Sequence, residues 1–86
     1  MHFYVYILQS VHHNRFYIGQ TNDISVRLEN HNSGLTKSTK PYLPWNLVGV
    51  IEKETRSEAM ILEKKLKNLN SPDLRKFILK YFSKET

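Results

Sequence analysis

The chain has 86 residues, 40% of them hydrophobic and 12% aromatic, so one packed domain with a modest core is expected over residues 1–86, without room for a separate recognition domain. It contains no cysteine, which excludes a disulfide staple and cysteine-ligated zinc. Thirteen Lys and Arg against eight Asp and Glu give a net charge of +5, a balance that attracts polyanions.

Phe3 to Leu8 reads Phe-Tyr-Val-Tyr-Ile-Leu, an aromatic and β-branched run that predicts a buried strand. Residues 1–9 lack the basic opening and small-residue cleavage site of a signal peptide. No apolar run approaches the roughly 20 residues that span a bilayer, so a cytoplasmic location is expected. Val11 to Asn14 is a polar turn, with His12 and His13 too close in sequence to share a metal geometry. Arg15 to Ile18 is a second strand, pairing with the first as an antiparallel hairpin. Gly19 is expected to end it, at a place where a side chain would obstruct a close backbone approach.

Thr21, Asn22 and Asp23 are N-cap types, and a helix follows to about Asn32, with Gly34 as its stop. Ile24 and Leu28 form its apolar stripe, while Arg27 and His31 share a different face. Residues 33–44, with Gly34, Pro41 and Pro44, read as a loop carrying Lys37 and Lys40. Trp45 to Ile51 is a third strand, with Trp45 a core aromatic. Thr55 and Glu58 make a capping box ahead of a helix whose stripe is Ala59, Leu62, Leu66 and Leu69. Ser71 is expected to cap a last helix, with Pro72 in its first turn and Leu74, Phe77, Ile78 and Tyr81 facing the core. The order β-β-α-β-α-α defines an α+β domain, a small three-stranded sheet, antiparallel or mixed, flanked by helices. Lys64, Lys65, Lys67, Arg75, Lys76, Lys80 and Lys84 load the last third, either as a polyanion surface or as a solvated helix face.

Within this frame stand Tyr4-Val5-Tyr6 and Tyr17-Ile18-Gly19, then Arg27, His31 and Ala59-Met60-Ile61-Leu62-Glu63. In that order they resemble the GIY-YIG nucleases, a family named for two short strand motifs about ten residues apart. The second motif matches fully. The first carries Tyr4 for its glycine and Val5 for its isoleucine but keeps Tyr6. A histidine four residues after the arginine is a feature of some homing and restriction endonucleases of the family, and His31 holds that place. His31-Asn32-Ser33-Gly34 and Pro44-Trp45 look closest to the single-domain bacterial members, and the resemblance spans Phe3 to about Lys67.

The resemblance implies a Mg²⁺- or Mn²⁺-dependent endonuclease that hydrolyses DNA phosphodiester bonds. It implies a structure-selective or weakly specific enzyme, in DNA repair or recombination, with no organic cofactor. By the same resemblance Tyr6 is the general base and Tyr17 orients water or phosphate. Arg27 contacts the phosphate, and His31 accepts the tyrosine proton or contacts the phosphate. Glu63 binds the metal. Gln20, Lys37, Lys40, Lys64 and Lys67 are the expected DNA contacts. The residue after the second motif is often Lys or Arg in the family and is Gln20 here, so Lys37 or Lys40 would supply the missing charge.

These residue types suit the reaction. A phenol titrates near pH 10, and a neighbouring cation lowers that value. Arginine forks onto two oxygens as lysine does not. One carboxylate suffices for Mg²⁺, which keeps waters and takes phosphate oxygens as ligands. Structural alternatives stand beside each assignment. The tyrosines are core aromatics, Arg27 and Glu63 form an ion pair, Glu63 pairs instead with Lys67 one turn on, or His31 is a surface residue ending its helix. The chain as a whole is alternatively a nucleic-acid binding module with little or no catalysis.

Overall fold

The computed structural model describes residues 2–82, so Lys84 lies outside the described residues. The chain order is β1 (Phe3–Ser10), β2 (Phe16–Thr21), α1 (Ile24–Asn32), a 3₁₀ turn (Lys40–Tyr42), β3 (Trp45–Lys53), α2 (Arg56–Lys67) and α3 (Ser71–Phe82). The sheet is entirely antiparallel, in the order β2-β1-β3, which resolves the expected α+β architecture. Among the described residues no helix is long and apolar enough to cross a membrane.

Alternation along β1 sends successive side chains to opposite sheet faces, and both faces are covered. Val5 and Ile7, with Ile18 of β2, pack against Ala59, Leu66 and Leu74 of α2 and α3. Tyr6 and Leu8 pack with Trp45 on the other face, under Ile24 and Leu28 of α1 and Tyr42 and Leu43 of the loop. Burial on both faces explains why β1 reads as a continuous apolar run.

Caps and stripes mostly follow the sequence. The Asp23 side chain accepts from the Val26 backbone amide at the start of α1, and Thr55 accepts from Glu58 at the start of α2. Gly34 closes α1 with φ +83°, a left-handed value that glycine takes at little cost.

Four expectations need correction. Gly19 does not end β2, which continues to Thr21. The glycine is required instead by Tyr6, its register partner, because a Cβ there would sit 2.5 Å from the Tyr6 hydroxyl oxygen. β1 and β3 each run two residues further than the apolar pattern, because ladder pairing of Gln9 and Ser10 with β3, and of Lys53 with Phe3, does not need apolar side chains. Asn70, not Ser71, caps α3, its side-chain oxygen accepting from the Asp73 amide at 2.9 Å. Tyr81 is 54% exposed and stacks on Phe77, while Phe82 takes the inward place over Gly49, where a Cβ would collide with its ring.

Candidate active site

Tyr6 is the centre of the site. The hairpin register puts it opposite Gly19 and puts Tyr17 opposite Leu8, so both tyrosines share the α1 face of the sheet, with ring centroids 6.2 Å apart. Tyr6 is 2% exposed. Its hydroxyl oxygen lies 3.0 Å from His31 Nε2 and accepts from Arg27 Nε at 3.3 Å. Arg27 and His31 reach the same atom because they lie one turn apart on α1.

His31 is not a surface residue; it is fully buried. Its ring stands 4.7 Å from that of Tyr17, and its Nδ1 lies 3.0 Å from Thr39 Oγ1. Burial, and then the Arg27 charge, hold its pKa below the ordinary histidine value, so at neutral pH the ring is uncharged. Tyr6 departs from the sequence expectation. The hydrogen bond from Arg27 does lower its pKa, but burial outweighs it, and the phenol sits above its ordinary value of 10.0. At rest Tyr6 is therefore a phenol rather than a tyrosinate, with a neutral imidazole beside it.

Glu63 comes from α2, which covers the opposite face, and meets the sheet at Gln20 of β2, an outer strand of the sheet. Gln20 Nε2 donates to Glu63 Oε1 at 3.0 Å, and Lys67 Nζ lies 2.9 Å from Oε2. Arg27 and Glu63 are thus not an ion pair: one bonds Tyr6, the other Gln20 and Lys67. The Glu63 charge still raises the pKa of Tyr6, though as the last of its causes. Among the described residues no group of three or more His, Cys, Asp or Glu side chains comes together. A divalent ion held at Glu63 would therefore not have two further His, Asp or Glu side chains gathered around it. The donor chemistry suits Mg²⁺ or Mn²⁺, and the Lys67 ammonium already stands as a cation on one carboxylate oxygen.

Of the expected DNA contacts, Gln20 and Lys67 are committed to Glu63, while Lys37, Lys40 and Lys64 are exposed. Next to Tyr17 a solvent-open groove passes between β2 and the α2–α3 corner, lined by Asn14, Arg15, Lys67 and Ser71. Arg15 and Thr39 were not singled out from sequence. Arg15 showed only as a strand start, and Thr39 as one polar residue in a loop of Ser, Thr and Lys.

The fold and these residues together define a GIY-YIG domain, and the chain belongs to that family: the model for the GIY-YIG catalytic domain, a nuclease superfamily, matches residues 2–77. Among solved structures, the chain is similar to the solution NMR structure of a UPF0213 protein from Bacillus halodurans. The two are 30% identical with a TM-score of 0.62, covering 94% of this chain and 86% of that one. No curated protein matches the chain.

Proposed function

We propose that this chain is a divalent-metal-dependent endonuclease that hydrolyses DNA phosphodiester bonds with weak sequence preference. The observation that supports it best is the Tyr6 hydroxyl held between the Arg27 guanidinium and the neutral His31 ring. In this mechanism the Tyr6 oxygen takes a proton from the attacking water as Tyr6 passes its own proton to His31 Nε2. The water oxygen bonds to phosphorus and the bond to the leaving oxygen breaks. No free tyrosinate is needed, which agrees with the raised pKa of Tyr6. Arg27 keeps its terminal nitrogens free of other hydrogen bonds among the described residues, so they are available to a non-bridging phosphate oxygen. The Tyr17 hydroxyl has no partner among the described residues and no buried polar side-chain atom is unsatisfied, so it reaches solvent, where it can orient water or phosphate. Glu63 would hold the metal, whose chemistry is to offset charge on the leaving oxygen.

The test is nicking of supercoiled plasmid in Mg²⁺ or Mn²⁺ against a chelator control, with Glu63→Gln alongside. Metal-dependent nicking by the parent and its collapse in a folded Glu63→Gln variant are expected. Parent-like nicking by the variant would remove Glu63 as the ligand. A second reading, a nucleic-acid binding module without catalysis, is favoured by Gln20 and Lys67 together, which already satisfy both Glu63 oxygens. DNA binding with no nicking in any metal would establish it.

A further inference from the structure

Thr39 lies in the connection between α1 and β3, in neither of the motif stretches that flank it, yet it is 1% exposed and touches the site. Its backbone is pinned three times: its amide donates to Thr36 O at 3.2 Å, and its carbonyl accepts from the Tyr42 amide at 3.1 Å and from Trp45 Nε1 at 2.9 Å. Trp45 is held in turn by Asn32, whose side chain accepts from the Trp45 amide at 2.7 Å and donates to the Trp45 carbonyl at 3.1 Å. The Thr39 side chain is therefore presented to His31 by a rigid frame.

One set of bond directions satisfies every donor and acceptor in this cluster. Thr39 has one hydroxyl proton, and its Oγ1 donates to Thr36 O at 3.2 Å. Toward His31 Nδ1, at 3.0 Å, it can then only accept, so Nδ1 carries the ring proton. A neutral imidazole with Nδ1 protonated has a bare Nε2, and Tyr6 donates to it across 3.0 Å. Arg27 Nε donates to the Tyr6 oxygen, which completes a one-way chain with no buried polar side-chain atom left over. The opposite tautomer fails this count. With Nε2 protonated, Tyr6 would face two donors, and its own proton would be left to water, with no acceptor among the described residues.

We propose that Thr39 is a positioning residue for the reaction, fixing His31 in the Nδ1-protonated tautomer so that its Nε2 is the acceptor of the Tyr6 proton. The catalytic side of this rests on the nuclease reading above; the tautomer does not. Histidine ¹⁵N shifts, read through long-range ¹H–¹⁵N correlation on the full chain at neutral pH, report which ring nitrogen is protonated. The parent should show His31 protonated at Nδ1. Thr39→Val, which keeps size but loses the acceptor, should mix or reverse the tautomers, and Thr39→Ser should restore them. Tyr6→Phe should leave Nδ1 protonated, because Thr39 rather than Tyr6 sets the choice. In nicking assays Thr39→Val should lower kcat with KM little changed, by about the 10- to 100-fold that losing the orienting partner of a metal-bound histidine costs.

A parent ring protonated at Nε2, or a Thr39→Val ring that keeps the parent tautomer, overturns the proposal. Should Thr39→Val not fold, the parent and Tyr6→Phe spectra decide it: a tautomer that changes in Tyr6→Phe is set by Tyr6, and the proposal fails. A parent that shows the expected tautomer but nicks no DNA refutes the nuclease reading and leaves the role of Thr39 in fixing the tautomer standing.

Discussion

At the scale of single residues, the site is a matter of room and of charge. The hydroxyl end of the Tyr6 ring sits over Gly19, and the second motif needs its glycine for that reason. Gly19→Ala puts a methyl 2.5 Å from the Tyr6 hydroxyl oxygen, and the ring, 2% exposed and bonded to His31 and Arg27, has nowhere to retreat. Overpacking of this kind costs about 1–3 kcal/mol. Urea unfolding should show that loss, with nicking falling as the Tyr6–His31 distance opens; a midpoint equal to the parent's would mean that Tyr6 is not seated on Gly19. Charge makes a second prediction. His31 has a pKa below 6.5 when folded, from burial and the Arg27 charge, and an ordinary value near 6.5 when unfolded. Between the two values the unfolded chain binds more protons. The stability His31 contributes as a neutral group is thus complete above the unfolded pKa and is lost as pH falls through the folded one. The nicking rate should follow on the acid side, since a protonated His31 has no lone pair for the Tyr6 proton. Comparing urea midpoints at pH 7 and pH 5 tests this. The parent should lose more stability on acidification than His31→Gln, and equal losses would show that His31 is not held neutral.

At the scale of elements, most of the architecture was legible because local chemistry and tertiary packing agree. The Asp23 and Thr55 caps, the Ala59–Leu66 stripe and the hairpin all come from patterns within a few residues. The failures are places where a distant partner decides. Gly19 answers to Tyr6, and Phe82 displaces Tyr81 because Gly49 on β3 leaves space for its ring. The candidate site shows the same division. Arg27 and His31 were legible as one face of a helix, and Tyr6 with Tyr17 as one face of a hairpin. Thr39 was not, because its partner is eight residues away across an irregular loop with no period to read. The setting of Glu63 was half legible. Lys67 follows at helical spacing, but Gln20 meets Glu63 only because α2 lies along the β2 edge. That setting makes a prediction about the element pair. Lys67 Nζ occupies one Glu63 oxygen, so an incoming divalent ion must displace a cation whose side chain is 53% exposed. A pair of this spacing with its lysine in solvent is worth about 0.5 kcal/mol, and relief of one nearby like charge adds about 1 kcal/mol in water. Lys67→Met should therefore tighten Mn²⁺ about three- to tenfold in titrations followed by electron paramagnetic resonance, with Glu63→Gln abolishing the binding. Unchanged Mn²⁺ affinity in Lys67→Met would show that the ammonium and the metal do not compete.

At the scale of the whole molecule, the relevant quantity is where the charge lies relative to Tyr17 and Arg27. The net charge of +5 is carried by cations in the loop before β3 and on α2 and α3, and few of them are neutralised internally. Among the described residues the ion pair of a Lys or Arg with a carboxylate is Lys67 with Glu63, and Lys37, Lys40 and Lys64 stand in solvent without a carboxylate partner. Arg15 lies over the Tyr42 ring and also lines the groove beside Tyr17. The groove sets Arg15 and Lys67 beside apolar residues such as Phe16, Ile18 and Leu69, and with the exposed lysines around it phosphate contacts should dominate affinity for any duplex. Each phosphate neutralised releases counterions, and log K should fall against log[salt] with a slope of roughly −0.9 per contact. Unrelated duplexes of equal length should then bind alike and weaken together between low and physiological salt. Replacing one contacting lysine should also make the slope shallower by nearly one unit. For Lys40→Ala or Lys64→Ala, fluorescence anisotropy at several ionic strengths separates the outcomes. A shallower slope marks a phosphate contact, an unchanged slope marks a solvated face, and affinity that ignores salt but follows sequence would mean that the chain reads bases instead.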